Sequence, residues 1–348
     1  MEKGIHEGVK THGVIIGKFM PPHRGHQYLI DFGAAYADKL TVMVCSIARE
    51  PISGDLRFEW VRDFFPNVRV LHHDAEIPQE PHEHPDFWTI WRDAIWKHAG
   101  KPIDYVFASE DYGWKLAEVL EAEYVPVDHA RSLVPISATQ IREAPLANWE
   151  FLLPTARPHY VKRVAIVGPE SAGKSTLTRQ LAEHYQTVCV EEYARGLLDF
   201  NKGWCEPHHI PRIAKGHWAS ESALARQANR ILFTDTDLLT TTVWSRMLYN
   251  DCPEWILQQA DAQRFDFTLL LDCDLDWEND GQRYMPDHAE RQSFFETMKA
   301  ELERLNRPYA VIQGRGPARL QEAIRQVDHQ VLLPLQNFPA SSTSAVTP

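Results

Sequence analysis

Hydrophobic positions in the first half of the chain fall into short β-rich runs separated by amphipathic stretches. GVIIGKF (13–19) reads as strand then turn, HQYLIDFGAAYAD (26–38) as helix, LTVMVCSI (40–47) as strand and DLRFEWVRDFF (55–65) as helix. VRVLHH (68–73) follows as strand, FWTIWRDAIWKHAG (87–100) as helix, DYVFASE (104–110) as strand, GWKLAEVLEAE (113–123) as helix and YVPVD (124–128) as strand. Period-2 runs alternating with period-3.6 runs predict a parallel sheet covered by helices on both faces. Ligands of such sheets bind on the loops that follow the carboxyl ends of the strands.

The pattern breaks at LANWEFLLPTARPHYVK, where Pro154 and Pro158 interrupt any helix and mark a linker. VKRVAIVGPES then opens a new strand, and TVCVEEYA, RILFTDTD, FTLLLDCD and YAVIQG continue the alternation. The expected organisation is an N-terminal extension 1–12, an α/β domain 13–147, a linker 148–161, a second α/β domain 162–335 and a disordered tail 336–348. Both domains are expected to be three-layer parallel-sheet folds.

Composition narrows this picture. A length of 348 residues suits two domains. No apolar run approaches the roughly 20 residues of a membrane span, and the first residues lack the apolar block of a signal peptide. A cytoplasmic protein with no membrane partner is expected. Five scattered cysteines, none in a CxxC pair, argue against a disulfide framework. The formal charge of −12 opposes general binding to nucleic acid, so phosphate chemistry must rest on local pockets. HHDAEIPQEPHEH (72–84) resembles a metal cluster, but Pro78, Pro81 and Pro85 deny it a fixed element, and it reads as a surface loop.

Two stretches carry the chemistry. GPESAGKST (168–176) matches GxxxxGK[ST] between an apolar strand and an amphipathic helix. Gly168 and Gly173 let the intervening amides of Glu170, Ser171 and Ala172 turn toward a phosphate, with Thr176 in the first helical turn. Lys174 reaches the β and γ phosphates of ATP, and the Ser175 hydroxyl is placed for Mg2+. Asp235 and Asp237 in TDTDLL end a later strand, where a carboxylate holds magnesium or takes a proton. Glu192 and Arg195 in EEYAR end another on the same rim. WENDGQRYMPDHAER (277–291), with Arg283 and Arg291, has the polarity of a lid that closes over phosphates.

In GKFMPPHRGH (17–26), Gly17 permits close backbone approach, the prolines stiffen the turn, and a helix starts near Gly25. His23 and His26 are three apart, so both rings can face one anion at the helix start. PISATQIR (135–142) adds the hydroxyls of Ser137 and Thr139 and the guanidinium of Arg142 at another helix start.

GKFMPPHRGH and ISATQIR resemble the paired motifs of nicotinamide-nucleotide adenylyltransferases. GPESAGKST, EEYAR, TDTDLLTT and WENDGQR resemble the kinase half of the bifunctional bacterial proteins that join this enzyme to ribosylnicotinamide kinase. The resemblance runs from about Gly13 to about Val331. It implies a Rossmann-like nucleotidyltransferase domain followed by a P-loop kinase domain. The implied reactions are phosphorylation of nicotinamide riboside to nicotinamide mononucleotide, and adenylylation of the mononucleotide to NAD and pyrophosphate. ATP is co-substrate in both, and magnesium is the implied metal.

By the same resemblance, Lys18, Phe19, Ser137, Thr139 and Arg142 complete the ATP cradle around His23 and His26. Trp88 and Trp91 sit where pyridinium-stacking tryptophans occur, although helix packing explains their spacing equally. Ser109 opens the loop that meets base and ribose, and Arg49 and Arg57 meet phosphate. Asp235 is the first choice for the acidic catalytic role, with Glu192 and Asp237 as alternates. Some relatives carry an N-terminal helix-turn-helix repressor unit. Only about twelve residues precede the first strand here, so no repressor role is expected. The rival readings are an adenylyltransferase for another phosphorylated metabolite fused to a small-molecule kinase, and a non-catalytic ATP or NAD sensor. The pattern is silent on homo-oligomerisation.

Overall fold

A computed structural model of the chain describes residues 10–201, 203–278 and 283–333. The chain divides into two compact units, residues 1–157 and 158–348. The expected tail 336–348, most of the extension 1–12 and the centre of WENDGQR lie outside the described residues.

Unit 1 is a five-stranded parallel sheet in the order β3-β2-β1-β4-β5. Its strands are β1 (His12–Gly17), β2 (Lys39–Cys45), β3 (Arg69–His73), β4 (Tyr105–Ala108) and β5 (Glu123–Pro126). The helices are α1 (Arg24–Tyr36), α2 (Gly54–Phe64), α3 (Phe87–Ala99), α4 (Tyr112–Leu120) and α5 (Ala138–Glu143). Neighbouring residues of one strand serve opposite faces. Ile15, Val42 and Val44 pack with Leu29 and Ile30 of α1 and Val61 of α2. Val14, Met43 and Cys45 pack with Ile95 of α3 and Leu116 of α4. Burying each such aliphatic side chain contributes roughly 1.5–3 kcal/mol before entropy is counted. The strand order reverses between β1 and β4, which opens a crevice beyond their carboxyl ends.

Part of the expected linker 148–161 is instead packed structure. Trp149, Leu152, Leu153 and Ala156 are all buried, and Leu152 forms an antiparallel bridge with His23. The apolar residues that flank Pro154 supply a surface to bury, and the turn-forming prolines masked that in the pattern. A short helix, α6 (Arg157–Tyr160), follows.

Unit 2 repeats the layering with a sheet in the order β10-β9-β6-β8-β7. Its strands are β6 (Lys162–Val167), β7 (Cys189–Val190), β8 (Ile231–Asp235), β9 (Phe267–Leu271) and β10 (Tyr309–Ile312). The helices are α7 (Lys174–His184), α8 (Tyr193–Phe200), α9 (Ile210–Ala225), α10 (Leu238–Tyr249), α11 (Glu254–Ala262), α12 (His288–Arg304) and α13 (Gly316–Val327). Val164 and Ile166 face Leu177 and Leu181 of α7 and Val327 of α13. Ala165 and Val167 face Val243 of α10 and Phe294 and Met298 of α12. β6 sits between β8 and β9, so the loop after it lies at this sheet's own reversal point. β7 is shorter than TVCVEEYA suggested, because Glu192 caps α8 and EEYAR turns from strand into helix. No described helix is long and apolar enough to cross a membrane.

Candidate functional sites

In unit 1 a cavity of about 250 Å3 lies at the reversal point, lined among others by His23, His26, Ser109, Arg131, Ser137 and Thr139. His23 is the N-cap of α1: its Nδ1 accepts the Gly25 N–H at 3.1 Å, while His26 Nδ1 accepts the His23 N–H at 3.3 Å. Two imidazoles therefore occupy the places that a serine and a glutamate fill in an ordinary capping box. The rings lie 3.8 Å apart, centroid to centroid. A Cβ on Gly25 would stand 2.9 Å from Cε1 of His23, which explains the glycine of HRGH.

Burial pushes His23 down to about 4, with the Arg131 charge acting in the same direction. Burial, then His23 and Arg131, hold His26 well below the usual histidine range. Both rings are neutral near pH 7. A neutral ring whose Nδ1 accepts a backbone N–H carries its proton on Nε2, so each keeps one N–H to donate to a phosphate oxygen.

Several expected contacts are structural instead. Arg57 is fully buried and donates to the carbonyls of Ile52 and Lys18 while pairing with Glu50, so it braces the phosphate turn from within. Lys18 Nζ lies 3.0 Å from Glu50, and Arg49 is exposed near Glu83. The Phe19 ring is 1% exposed, wedged over Gly17 and 4.8 Å from the His26 ring. Gly17 thus makes room for an aromatic ring rather than for a ligand. Trp91 is a core residue whose indole N–H donates to Pro78 O at 2.9 Å, which leaves Trp88, partly exposed, as the stacking candidate. Ser137 closes a capping box with Gln140, and Arg142 donates to Met20 O and to Thr139 Oγ1, tying the two motifs together. Lys18, Arg49, Arg57, Trp88, Trp91 and Arg142 are not among the residues lining the cavity.

Unit 2 holds a cavity of about 340 Å3. Residues Glu170 to Thr176 of the phosphate loop form one wall, and Glu192, Arg195 and Arg283 also line it. Gly168 has φ 146°, and a Cβ there would meet Leu271 O at 2.7 Å, so only glycine fits. Gly173, φ 82°, precedes α7, whose N-terminal end supplies amides and a positive dipole. Lys174 Nζ donates to Pro169 O at 2.9 Å, which keeps the ammonium folded over the loop.

Asp235, at the end of β8, is 2% exposed, and its carboxyl is pushed up to about 6 by burial and then by the charge of Glu192, against Lys174, a Ser175 hydrogen bond and Arg195. Its Oδ1 is buried without a hydrogen-bond partner. A hydroxyl beside a carboxylate oxygen still seeking a partner is an all-oxygen donor set, which fits a hard divalent cation that takes its remaining ligands from phosphate and water. Among the described residues no three His, Cys, Asp or Glu side chains cluster to hold a metal alone.

Asp237 does not share the expected role. It is fully buried, caps α10 by accepting the N–H and hydroxyl of Thr240, each at 2.7 Å, and pairs with the buried Arg307 at 3.2 Å. Arg291 is likewise buried and donates to Leu275 O, so it supports the start of α12 rather than serving a lid. Arg283 does reach the phosphate loop, at Ser171 Oγ, and Glu170 accepts the amides of Tyr284 and Met285 at 2.8–2.9 Å. Tyr193 and Tyr284, which belong to EEYAR and WENDGQRYMPDHAER, also line the cavity, as do His217 and Trp244, which no motif announces. His217 is 2% exposed with its Nε2 unpaired.

An AAA domain family matches residues 163–319. The trifunctional NAD biosynthesis/regulator protein NadR of Escherichia coli (strain K12) is 31% identical over 321 residues, covering 85% of this chain and 77% of that protein. The crystal structure of NadR protein in complex with NAD and AMP-PNP has a TM-score of 0.75 at 22% identity, over 92% of this chain and 96% of that one. NadR protein in complex with NR gives 0.74 at 24% identity with the same coverage. At such identities these two structures speak to the fold, a pair of parallel-sheet α/β units.

Proposed function

The chain belongs to the NadR family, and from that premise we propose that it makes NAD in two steps, one in each unit. In unit 2 the 5′-hydroxyl of nicotinamide riboside attacks the γ-phosphorus of ATP, ADP leaves, and nicotinamide mononucleotide forms. In unit 1 a phosphate oxygen of the mononucleotide attacks the α-phosphorus of a second ATP, and pyrophosphate leaves as NAD forms. Neither displacement needs a nucleophile from the protein, so catalysis consists of positioning and charge stabilisation.

The observation that carries this reading is that each sheet has, at its own reversal point, a cavity lined by residues of a turn that opens a helix, His23 and His26 in one and Glu170 to Thr176 in the other. In unit 2, Lys174 and the loop amides hold the β and γ phosphates, and the arginines at 195 and 283 draw charge from the transferring group. Ser175 and Asp235 would hold magnesium, which when bound neutralises phosphate oxygens. Glu192 is among the residues lining the cavity and Asp235 is not, so the proton of the attacking hydroxyl passes to Glu192. In unit 1 the Nε2–H groups of His23 and His26 and the start of α5 hold the nucleotide phosphates, and Ser109 meets the nucleoside. Trp88 stacks on the pyridinium ring, a cation over an aromatic face.

Incubation of the full chain with nicotinamide riboside, ATP and magnesium tests the reading. The expected products are the mononucleotide first and NAD after it. Absence of both would leave a nucleotide sensor. Mononucleotide without NAD, together with adenylylation of a different phosphate ester, would leave the fusion with another adenylyltransferase.

A further inference from the structure

The unit 1 cavity, taken as a nucleotide site, poses a charge problem, and the role assigned to Arg131 rests on that reading. A triphosphate carries several negative charges, yet the groups lining this cavity are neutral histidines, the hydroxyls of Ser109, Ser137 and Thr139, and the carboxylates of Glu110 and Asp128. Arg131 is the one cation among the described lining residues. Lys18 is occupied by Glu50, and Arg142 holds the Met20 carbonyl and the Thr139 hydroxyl.

Arg131 is also built to be presented. It has φ 50° in a loop whose shape is fixed by the Asp128 carboxylate, which accepts the amides of Ser132, Leu133 and Val134 at 2.9–3.2 Å. The Arg131 N–H donates to Asp128 O at 2.7 Å. Its backbone is therefore pinned while its side chain stays 47% exposed. The guanidinium meets Glu110 Oε1 at 2.9 Å, and that carboxylate is itself 57% exposed. An ion pair so open to solvent is weak and easily exchanged, and a forked guanidinium suits phosphate oxygens better than a lone charge does.

We propose that Arg131 trades Glu110 for the phosphate oxygens of the nucleotide bound in unit 1 and is the cationic contact of that site. Nothing in the sequence marked it, since HARSLVP matches no phosphate motif.

The test is kinetic, on the full chain, with NAD formation from supplied nicotinamide mononucleotide as the readout of unit 1. Arg131→Ala should raise KM for ATP and the inhibition constant of pyrophosphate by about tenfold or more, the loss expected for a hydrogen-bonded charge. The inhibition constant of adenosine, which has no phosphate, should move by less than about twofold. Arg131→Lys should recover part of the pyrophosphate affinity. If Arg131→Ala weakens adenosine as much as pyrophosphate, or leaves both unchanged while NAD still forms, the proposal is overturned. If wild-type protein forms no NAD, the reading of unit 1 fails first, and direct binding of pyrophosphate to wild type and Arg131→Ala then decides the residue: equal binding overturns it.

Discussion

The two units line their cavities with opposite electrostatics. Unit 2 lines its cavity with basic and acidic side chains: Lys174, Arg179, Arg195 and Arg283 against Glu170 and Glu192. Unit 1 lines its cavity with neutral imidazoles, hydroxyls and a single arginine among the described residues. A dense charge set binds strongly but ties activity to protonation and salt, whereas neutral donors in a buried turn hold their state across a wide pH range.

The comparison breaks most visibly by removing one grip at a time. Lys174→Ala should lower riboside phosphorylation by about a hundredfold or more while adenylylation of supplied mononucleotide survives, and His26→Ala should do the reverse. Separate assays with each substrate measure this, and loss of both reactions from either change in a folded protein would end the claim of independent sites. A smaller but still large effect concerns the frame of unit 2. Asp237→Ala leaves the buried Arg307 without its carboxylate, which should cost about 3–5 kcal/mol, seen as a lowered thermal midpoint of unit 2 with adenylyl transfer retained at moderate temperature. An unchanged melting curve would make Asp237 a catalytic candidate again.

The subtlest contrast is in pH. Burial pushes His23 down to about 4, so the rate profile of adenylyl transfer against pH should show no histidine limb until near 4. The stability of the metal-free protein should show opposed trends in the two units. The folded value of Asp235 lies above its ordinary 3.8, so its contribution is present below 3.8 and is lost as pH rises through about 6. His23 lies below its ordinary 6.5, so unit 1 keeps that contribution above 6.5 and loses it as pH falls toward 4. Melting scans of the metal-free protein between pH 4 and 8 would show the two opposed trends, and parallel scans would refute the contrast.

Much of the frame was legible because period-2 and period-3.6 patterns are local. β1 and β6 fall where GVIIG and RVAIV predicted, each followed by the turn and helix its motif required. His23, His26 and residues 170–176 line the two cavities, and they could be picked out because each set is contiguous in the chain. What failed was role at a distance. Arg57 and Asp237 have the right chemistry beside the right motifs, but neither motif reveals that Lys18 O and Arg307 claim them first. Arg131, His217 and Trp244 had no local signal, because a cavity wall is assembled from segments far apart in sequence. Trp88 and Trp91 shared one helical spacing, and only the burial of the second separated them.

The carboxylate at position 170 has a consequence for engineering. Its oxygens are engaged by main-chain amides more than a hundred residues downstream, so GPESAGKST is not a transplantable cassette. Grafted onto a host without a counterpart of Tyr284 and Met285, the same nine residues would direct an uncompensated negative group toward incoming nucleotide. The motif as a string would survive the move, and its affinity would not.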